Sequence, residues 1–265
     1  MSAIDKFDER AEAVKSLLCV GLDSDMEKLP ERFQKYEQPQ FNFNRWIIEQ
    51  THEHTASYKF NMAFYEARGP EGLKELQLTL DYLQQRHPDI FTICDAKRGD
   101  IDNTNRGYVE EIFDWLGFDA VTLHPYLGQE ALQPFLSRAD KGCIVLCRTS
   151  NPGAGEFQDL MAGGLPLWQI VAKRVHEAWN TNHNCMLVVG ATYPEEIKKV
   201  REITGDMTLL VPGIGAQGGS VAEVMQTGLN SQRSGLIIHS ARGIIFAENP
   251  AEEAKRLKED INGYR

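Results

Sequence analysis

The chain is 265 residues long, with 38 acidic against 28 basic side chains and a formal net charge of −10. That length admits one large α/β domain or two small ones, and the acidic balance argues against a general nucleic-acid binder but not against an anionic small molecule, which responds to local charge. No apolar run reaches the roughly 18 residues of a membrane span, and the N-terminal stretch with Asp5, Lys6, Asp8, Glu9 and Arg10 lacks the basic start and apolar body of a signal peptide.

Taken in order, Ile4 to Lys15 has the pattern of a short amphipathic helix. Leu17 to Asp23 is an apolar strand ending in a carboxylate, and Phe43 to His54 is helical. Ser57 to Tyr65 is a second strand with Lys59 inside it; Pro70 to Gln85 is helical, and Pro88 stops it. Ile90 to Cys94 is the third strand. Thr104 to Leu116 is helical, and Ala120 to His124 and Gly142 to Ser150 are the fourth and fifth strands. Leu167 to Trp179 is a helix, Met186 to Ala191 a strand, Pro194 to Ile203 a helix and Met207 to Val211 a strand. Ser220 to Thr227 is helical, Leu236 to Ile238 is the eighth strand, and Pro250 to Ile261 is the last helix. The four tryptophans, Trp46, Trp115, Trp168 and Trp179, fall in helices and are expected in the core. The five cysteines are odd in number and mostly inside apolar strands, so buried thiols in a cytoplasmic protein are expected rather than disulfides.

The strands are near-continuous apolar runs, as parallel strands buried on both faces should be. Strand–helix alternation means a parallel sheet, and eight units in about 250 residues is the size of a (β/α)8 TIM barrel. With no linker or composition break, residues 1–265 are expected to form a single domain of that kind; an open doubly wound sheet is the competitor.

The third strand turns abruptly into charge: Ile93-Cys94-Asp95-Ala96-Lys97-Arg98-Gly99-Asp100-Ile101. Alternate strand residues share a face, so Asp95 and Lys97 project together, with Asp100 following past Gly99 on the loop. A lysine held between two carboxylates at a strand end is expected. A solvated ion pair would be worth little, but the apolar lead-in places these charges where a buried strand opens. In a barrel the active site lies at the C-terminal strand ends. The polar residues there are Asp23, Lys59, Asp95, Lys97, Asp100, His124, Ser150, Thr192, Gln217 and Arg242. His124 is expected to be a hydrogen-bonded rim residue rather than a catalyst, having no paired nucleophile.

After the seventh strand, Pro212-Gly213-Ile214-Gly215-Ala216-Gln217-Gly218-Gly219 formally matches a dinucleotide fingerprint. That fingerprint belongs to a first βα turn with an acid about 20 residues on, which is not the case here. A loop bearing Gly213, Gly215 and Gly218 after strand seven, with Arg242 after strand eight, is instead where barrels hold phosphate, on backbone N–H groups and an arginine fork. Tight packing alone would also account for the glycines. His52 and His54 do not share a helix face, and no metal site is expected. The connection from Ser150 to about Pro166 is either a flexible surface loop or a lid.

Asp95-x-Lys97-x-x-Asp100-Ile101 with Thr104, the Pro-Gly-Ile-Gly-Ala-Gln-Gly-Gly run and Arg242 closely resemble the orotidine 5′-monophosphate decarboxylase family over nearly the whole chain. Asp-Ala-Lys-Arg-Gly-Asp-Ile and Arg148-Thr149-Ser150-Asn151-Pro152 resemble its longer-chain bacterial subgroup. The resemblance implies decarboxylation of orotidine monophosphate to UMP and carbon dioxide without a cofactor. It implies Lys97 as catalytic cation and proton donor, flanked by Asp95 and Asp100. Asp100 and Thr104 would come from the partner subunit of a homodimer. Asp23 and Lys59 would hold the ribose hydroxyls, Ser150 the pyrimidine, and Gln217 and Arg242 the phosphate. Neither nucleic acid nor membrane is expected as a partner. Two other functions stay open: a Mg2+-dependent sugar-phosphate lyase or synthase on the same barrel, and a non-catalytic barrel that binds a phosphate ligand.

Overall fold

The computed structural model describes residues 1–214 and 218–265. Eight parallel strands close into a barrel: β1 Leu18–Gly21, β2 Ser57–Asn61, β3 Phe91–Arg98, β4 Ala120–Leu123, β5 Gly142–Arg148, β6 Cys185–Val189, β7 Leu209–Pro212 and β8 Leu236–Ser240. Each strand pairs with its neighbour in sequence, and β1 closes the ring against both β2 and β8. Helices cover the outside, so the strands are buried on both faces and read as apolar runs. The (β/α)8 expectation is met.

Local chemistry explains the boundaries. Ser2 and Asp5 form a capping box on the first helix (Ala3–Ala13). Pro39, Pro194 and Pro250 each open a helix at a position where a missing N–H costs nothing. All five cysteines are free and buried, and burial pushes the thiols of Cys19, Cys147 and Cys185 up to about 12. Among the described residues no helix is long and apolar enough to cross a membrane.

Several expectations need correction. The second strand stops at Asn61, not Tyr65. The Asn61 side chain accepts the Ala63 N–H, and Ala63–Glu66 coils into a helical turn that buries Tyr65. A short apolar run carries no periodicity that separates the two forms. The third strand, in turn, does not stop at Cys94 but runs through the charges to Arg98, with its pairing to β4 irregular between Cys94 and Arg98. A helix at Gly128–Leu136 has no counterpart among the expected elements; Pro134 inside it masks the pattern. Trp115 is 56% exposed, outside the core. It ends a π-helical turn, Glu110–Trp115, which carries more residues per turn than an α-helix and rotates Trp115 away from the face where Ile112 and Phe113 are buried.

The connection between β5 and the helix at Leu167–Arg174 is structured. It holds a helical turn (Gly155–Gln158) and a two-stranded antiparallel ribbon, Met161–Ala162 against Leu165–Pro166. It is tied to the rim by an Arg148–Asp159 ion pair at 3.0 Å. Gln158 adds two bonds, accepting the Thr149 N–H at 3.0 Å and donating to Thr149 Oγ1 at 2.8 Å.

Candidate active site

The barrel's C-terminal mouth is organised around Asp95. Strand parity points Lys59 from β2 and Asp95 from β3 inward. Lys59, only 4% exposed, puts its Nζ 2.7 Å from Asp95 Oδ2 and 3.9 Å from Asp23 Oδ1. Lys97 reaches the other oxygen, Oδ1, at 2.6 Å. It does so because its backbone sits in the left-handed region, with φ of 49°, where the ladder to β4 breaks. Thr122 of β4 locks this turn. Its Oγ1 accepts the Lys97 N–H at 2.9 Å and donates to Asp95 Oδ1 at 2.9 Å.

Burial alone would raise the Asp95 carboxyl. The Lys59 and Lys97 ammonium groups outweigh burial and hold it well below the usual carboxylate range. Burial likewise works against the Lys59 ammonium, but Asp95 and Asp23 overcome it and raise that group above its ordinary value. Within one chain the expected geometry is therefore inverted: a single carboxylate sits between two ammonium groups. Asp100 is not the second carboxylate of its own chain's Lys97. Its Oδ1 accepts the Ile101 N–H at 2.7 Å, and no ion pair joins it to Lys97 among the described residues. Asn105, fully buried, accepts the Asp100 N–H at 2.9 Å and donates to Ala131 O at 2.6 Å, pinning the loop. Thr104 is exposed on the helix Asp102–Val109 one residue before it. Arg98 pairs with Glu66 and lies over Tyr108, away from Lys97. His124 Nε2 is 2.7 Å from Gly99 O, the rim role expected of it.

Beside this cluster lies a cleft of about 250 Å3, with Asp23, Asn61 of β2, Gly213, His239 and Arg242 in its wall. Arg242 is exposed at the start of the helical turn Arg242–Ile245. Gly213 and Gly218 have φ of 104° and 84°, conformations that favour glycine. The Gly219 N–H donates to Gly213 O at 3.1 Å, and Ser220 caps the helix Val221–Gly228 that follows. The described end of the loop thus leads into a helix N-terminus. Gly215 and Gln217 lie outside the described residues. Ser150 follows β5 and packs on Gly190, where an added Cβ would meet the Ser150 Cβ at 2.9 Å. Thr192 is exposed on a turn after β6.

Thr122, His239 and Asn105 stand outside the set expected from the sequence. Thr122 shares strand parity with the rim residue His124 and is detectable on that ground. His239 follows Ile238, where the eighth strand is expected to end. The strand continues to Ser240 and carries the imidazole into the barrel. Burial first, then the Lys59 and Lys97 ammonium groups, push His239 well below its ordinary value, so it is neutral. Among the described residues no group of three or more His, Cys, Asp or Glu side chains could hold a metal ion.

A family described as orotidine 5′-phosphate decarboxylase / HUMPS matches residues 16–257. A Cellvibrio japonicus relative named orotidine 5′-phosphate decarboxylase is 44% identical over 260 residues, 97% of this chain and 94% of its own. One of the same name from Flavobacterium johnsoniae is 46% identical over 246 residues, covering 93% and 89%. The solved OMP decarboxylase of Leishmania donovani superposes with a TM-score of 0.90 at 40% identity, over 100% of this chain and 99% of that one. The chain belongs to the orotidine 5′-phosphate decarboxylase / HUMPS family.

Proposed function

We propose that this protein decarboxylates orotidine 5′-monophosphate to UMP and carbon dioxide, the last step of UMP synthesis, using no cofactor. The whole chain would act as one barrel domain in the cytoplasm. The observation that carries this function is the Lys97 ammonium, fixed by Asp95 at 2.6 Å in the mouth of a barrel of this family.

Breaking the C6–carboxylate bond leaves its electron pair in an sp2 orbital that cannot delocalise into the ring carbonyls. A fixed ammonium beside that carbon stabilises the developing charge without reorganising. Lys97 is suited to supply that charge and to pass its proton to C6, after which solvent reprotonates the amine. Asp95 keeps Lys97 charged and aimed. Asp23 and Lys59 are suited to ribose hydroxyls and Ser150 to the pyrimidine. The Gly213, Gly215 and Gly218 loop, Gln217 and Arg242 are suited to the phosphate. One ion pair cannot supply an acceleration that in extreme enzymes approaches roughly 23 kcal/mol. Binding energy from the remote phosphate must be spent at the reacting carbon.

Asp100 and Thr104 would complete the site of a second copy in a homodimer. Asp100 accepts the Ile101 N–H and makes no ion pair with its own Lys97 among the described residues, and beside it Ile101 is 60% exposed. Tyr126 and Leu127, on the loop that His124 ties to Gly99, are also exposed.

Adding orotidine monophosphate to the purified protein and following its ultraviolet absorbance tests the function, with a chelator in a parallel sample. Absorbance should fall in both. No fall, with UMP still bound, would mean a non-catalytic phosphate-binding barrel. A loss of activity in chelator that Mg2+ restores would favour a sugar-phosphate lyase or synthase.

A further inference from the structure

Two buried polar atoms in the wall of the β1–β8 cleft have no hydrogen-bond partner among the described residues: Asp23 Oδ1 and His239 Nε2. Asp23 Oδ1 has the Lys59 ammonium 3.9 Å away, beyond hydrogen-bond distance. Buried polar atoms without a hydrogen bond are costly, and two of them on residues of one cleft mark a place where a ligand completes the bonding. Their chemistry is complementary. An ionised carboxylate only accepts, whereas a neutral imidazole carries one N–H donor. A hydroxyl both donates and accepts, so a single hydroxyl could satisfy an acceptor and a donor together.

The site is built to seat this imidazole. His239 is fully inside the strand ladder, opposite Cys19 of β1, and 8% exposed. A Cβ on Gly21 would meet His239 Nε2 at 2.5 Å and Ala241 Cβ at 2.6 Å. Glycine at position 21 is what leaves room for the ring. The ammonium groups of Lys59 and Lys97 and the carboxylate of Asp95 are the charges facing it. Positive charge is thus already supplied by two lysines, and the remaining use of this side chain is a directional hydrogen bond.

We infer that His239 is a further substrate-binding residue, one that hydrogen-bonds a ribose hydroxyl of the nucleotide and sets the preference for that hydroxyl. The inference rests on the proposed function, because the cleft that holds His239 also holds Asp23 and Arg242, the residues assigned there to ribose and phosphate.

The test measures binding of UMP, 2′-deoxy-UMP and 3′-deoxy-UMP by calorimetry to wild type, His239→Leu and His239→Gln. His239→Leu keeps an apolar body and removes the hydrogen bond, and His239→Gln returns a donor. Wild type should prefer UMP about tenfold or more over at least one deoxy analogue, as expected for a hydrogen bond in a buried site. His239→Leu should lose about tenfold for UMP yet bind that same analogue as wild type does, and His239→Gln should recover most of the loss. Equal weakening for all three ligands, or UMP binding by His239→Leu within twofold of wild type, would overturn the inference. So would a wild type that binds both deoxy analogues as tightly as UMP, whatever the variants do. Wild-type turnover of orotidine monophosphate in the same preparation separates the two levels. An active wild type with an indifferent His239 sinks only this inference, while no turnover and no UMP binding sink the proposed function with it.

Discussion

The two sides of the barrel mouth are built differently. On the β2–β3–β4 side, Lys59, Asp95, Lys97 and Thr122 bond one another at 2.6–2.9 Å, and Asp95 has both oxygens engaged. On the β7–β8–β1 side, Arg242 is exposed without an ion pair among the described residues, Asp23 Oδ1 and His239 Nε2 have no hydrogen-bond partner among them, and glycines shape the loop. The first side is complete before any ligand arrives, which is what stabilisation of a developing charge requires. The second side offers open groups, as a surface meant to grip a ligand should. Lys59, 3.9 Å from Asp23, joins the two sides; with Lys97 proposed for the chemistry and Arg242 for the grip, substitutions at these two should fail differently.

The largest effect is expected from Lys97→Ala. Removing a preorganised charge at the reacting centre should lower kcat about a thousandfold or more. Circular dichroism should be unchanged, since Lys97 is 49% exposed. Turnover within tenfold of wild type would break the contrast.

Asp95→Asn should be felt in stability as well. Breaking a buried pair costs up to about 3–5 kcal/mol, and here it leaves the Lys59 ammonium with only the more distant Asp23, 3.9 Å away. The pH dependence has a definite sign. The folded carboxyl sits below its unfolded value, so its stabilisation is full above about pH 4 and is lost as pH falls through that value toward the folded one. Urea midpoints from pH 7 to pH 3 should therefore show the gap between wild type and Asp95→Asn constant above about pH 5 and shrinking below about pH 4. A gap that widens on acidification would contradict the ion-pair assignment.

On the gripping wall, Arg242→Ala should lower kcat/KM roughly ten- to hundredfold, the worth of a charge-assisted hydrogen bond. The loss should appear mostly in KM. A variant that loses only kcat would place Arg242 on the wrong side of the comparison.

The smallest signal concerns Asp100. Lys97→Ala and Asp100→Ala homodimers, each nearly inactive, are dissociated, mixed and reassociated. Half the dimers become mixed, and each mixed dimer holds one site with both side chains intact, so about a quarter of wild-type activity should return. No recovery, with exchange confirmed by mass-labelled chains, would show that Asp100 serves its own subunit.

The barrel was legible in the sequence because buried parallel strands are apolar on both faces, and Asp95 and Lys97 were legible because their shared parity interrupts such a strand. Several other features were not. Tyr65 is apolar enough to extend β2 on paper, yet its hydroxyl donates to Leu22 O at 2.7 Å from a helical turn. Asn105 is an ordinary polar residue until tertiary contact gives it the Asp100 loop to hold, and strand parity with His124 is the one sign the sequence carries of Thr122. Lys97 itself reaches Asp95 through a positive φ that no alternation pattern reveals. His239 was hidden by a strand boundary drawn two residues too early, at Ile238 rather than Ser240. Strand boundaries are set by the ladder to β1 and β7, which the local sequence does not contain.

The central claim is that this barrel removes carbon dioxide from orotidine monophosphate using its own side chains alone. The most direct test supplies substrate labelled in the carboxyl group, in the presence of a chelator, and measures labelled carbon dioxide and UMP together. Equal amounts of the two, formed over many turnovers, are expected. Substrate that binds and returns unchanged, or label release that stops in chelator and resumes with Mg2+, would contradict the claim.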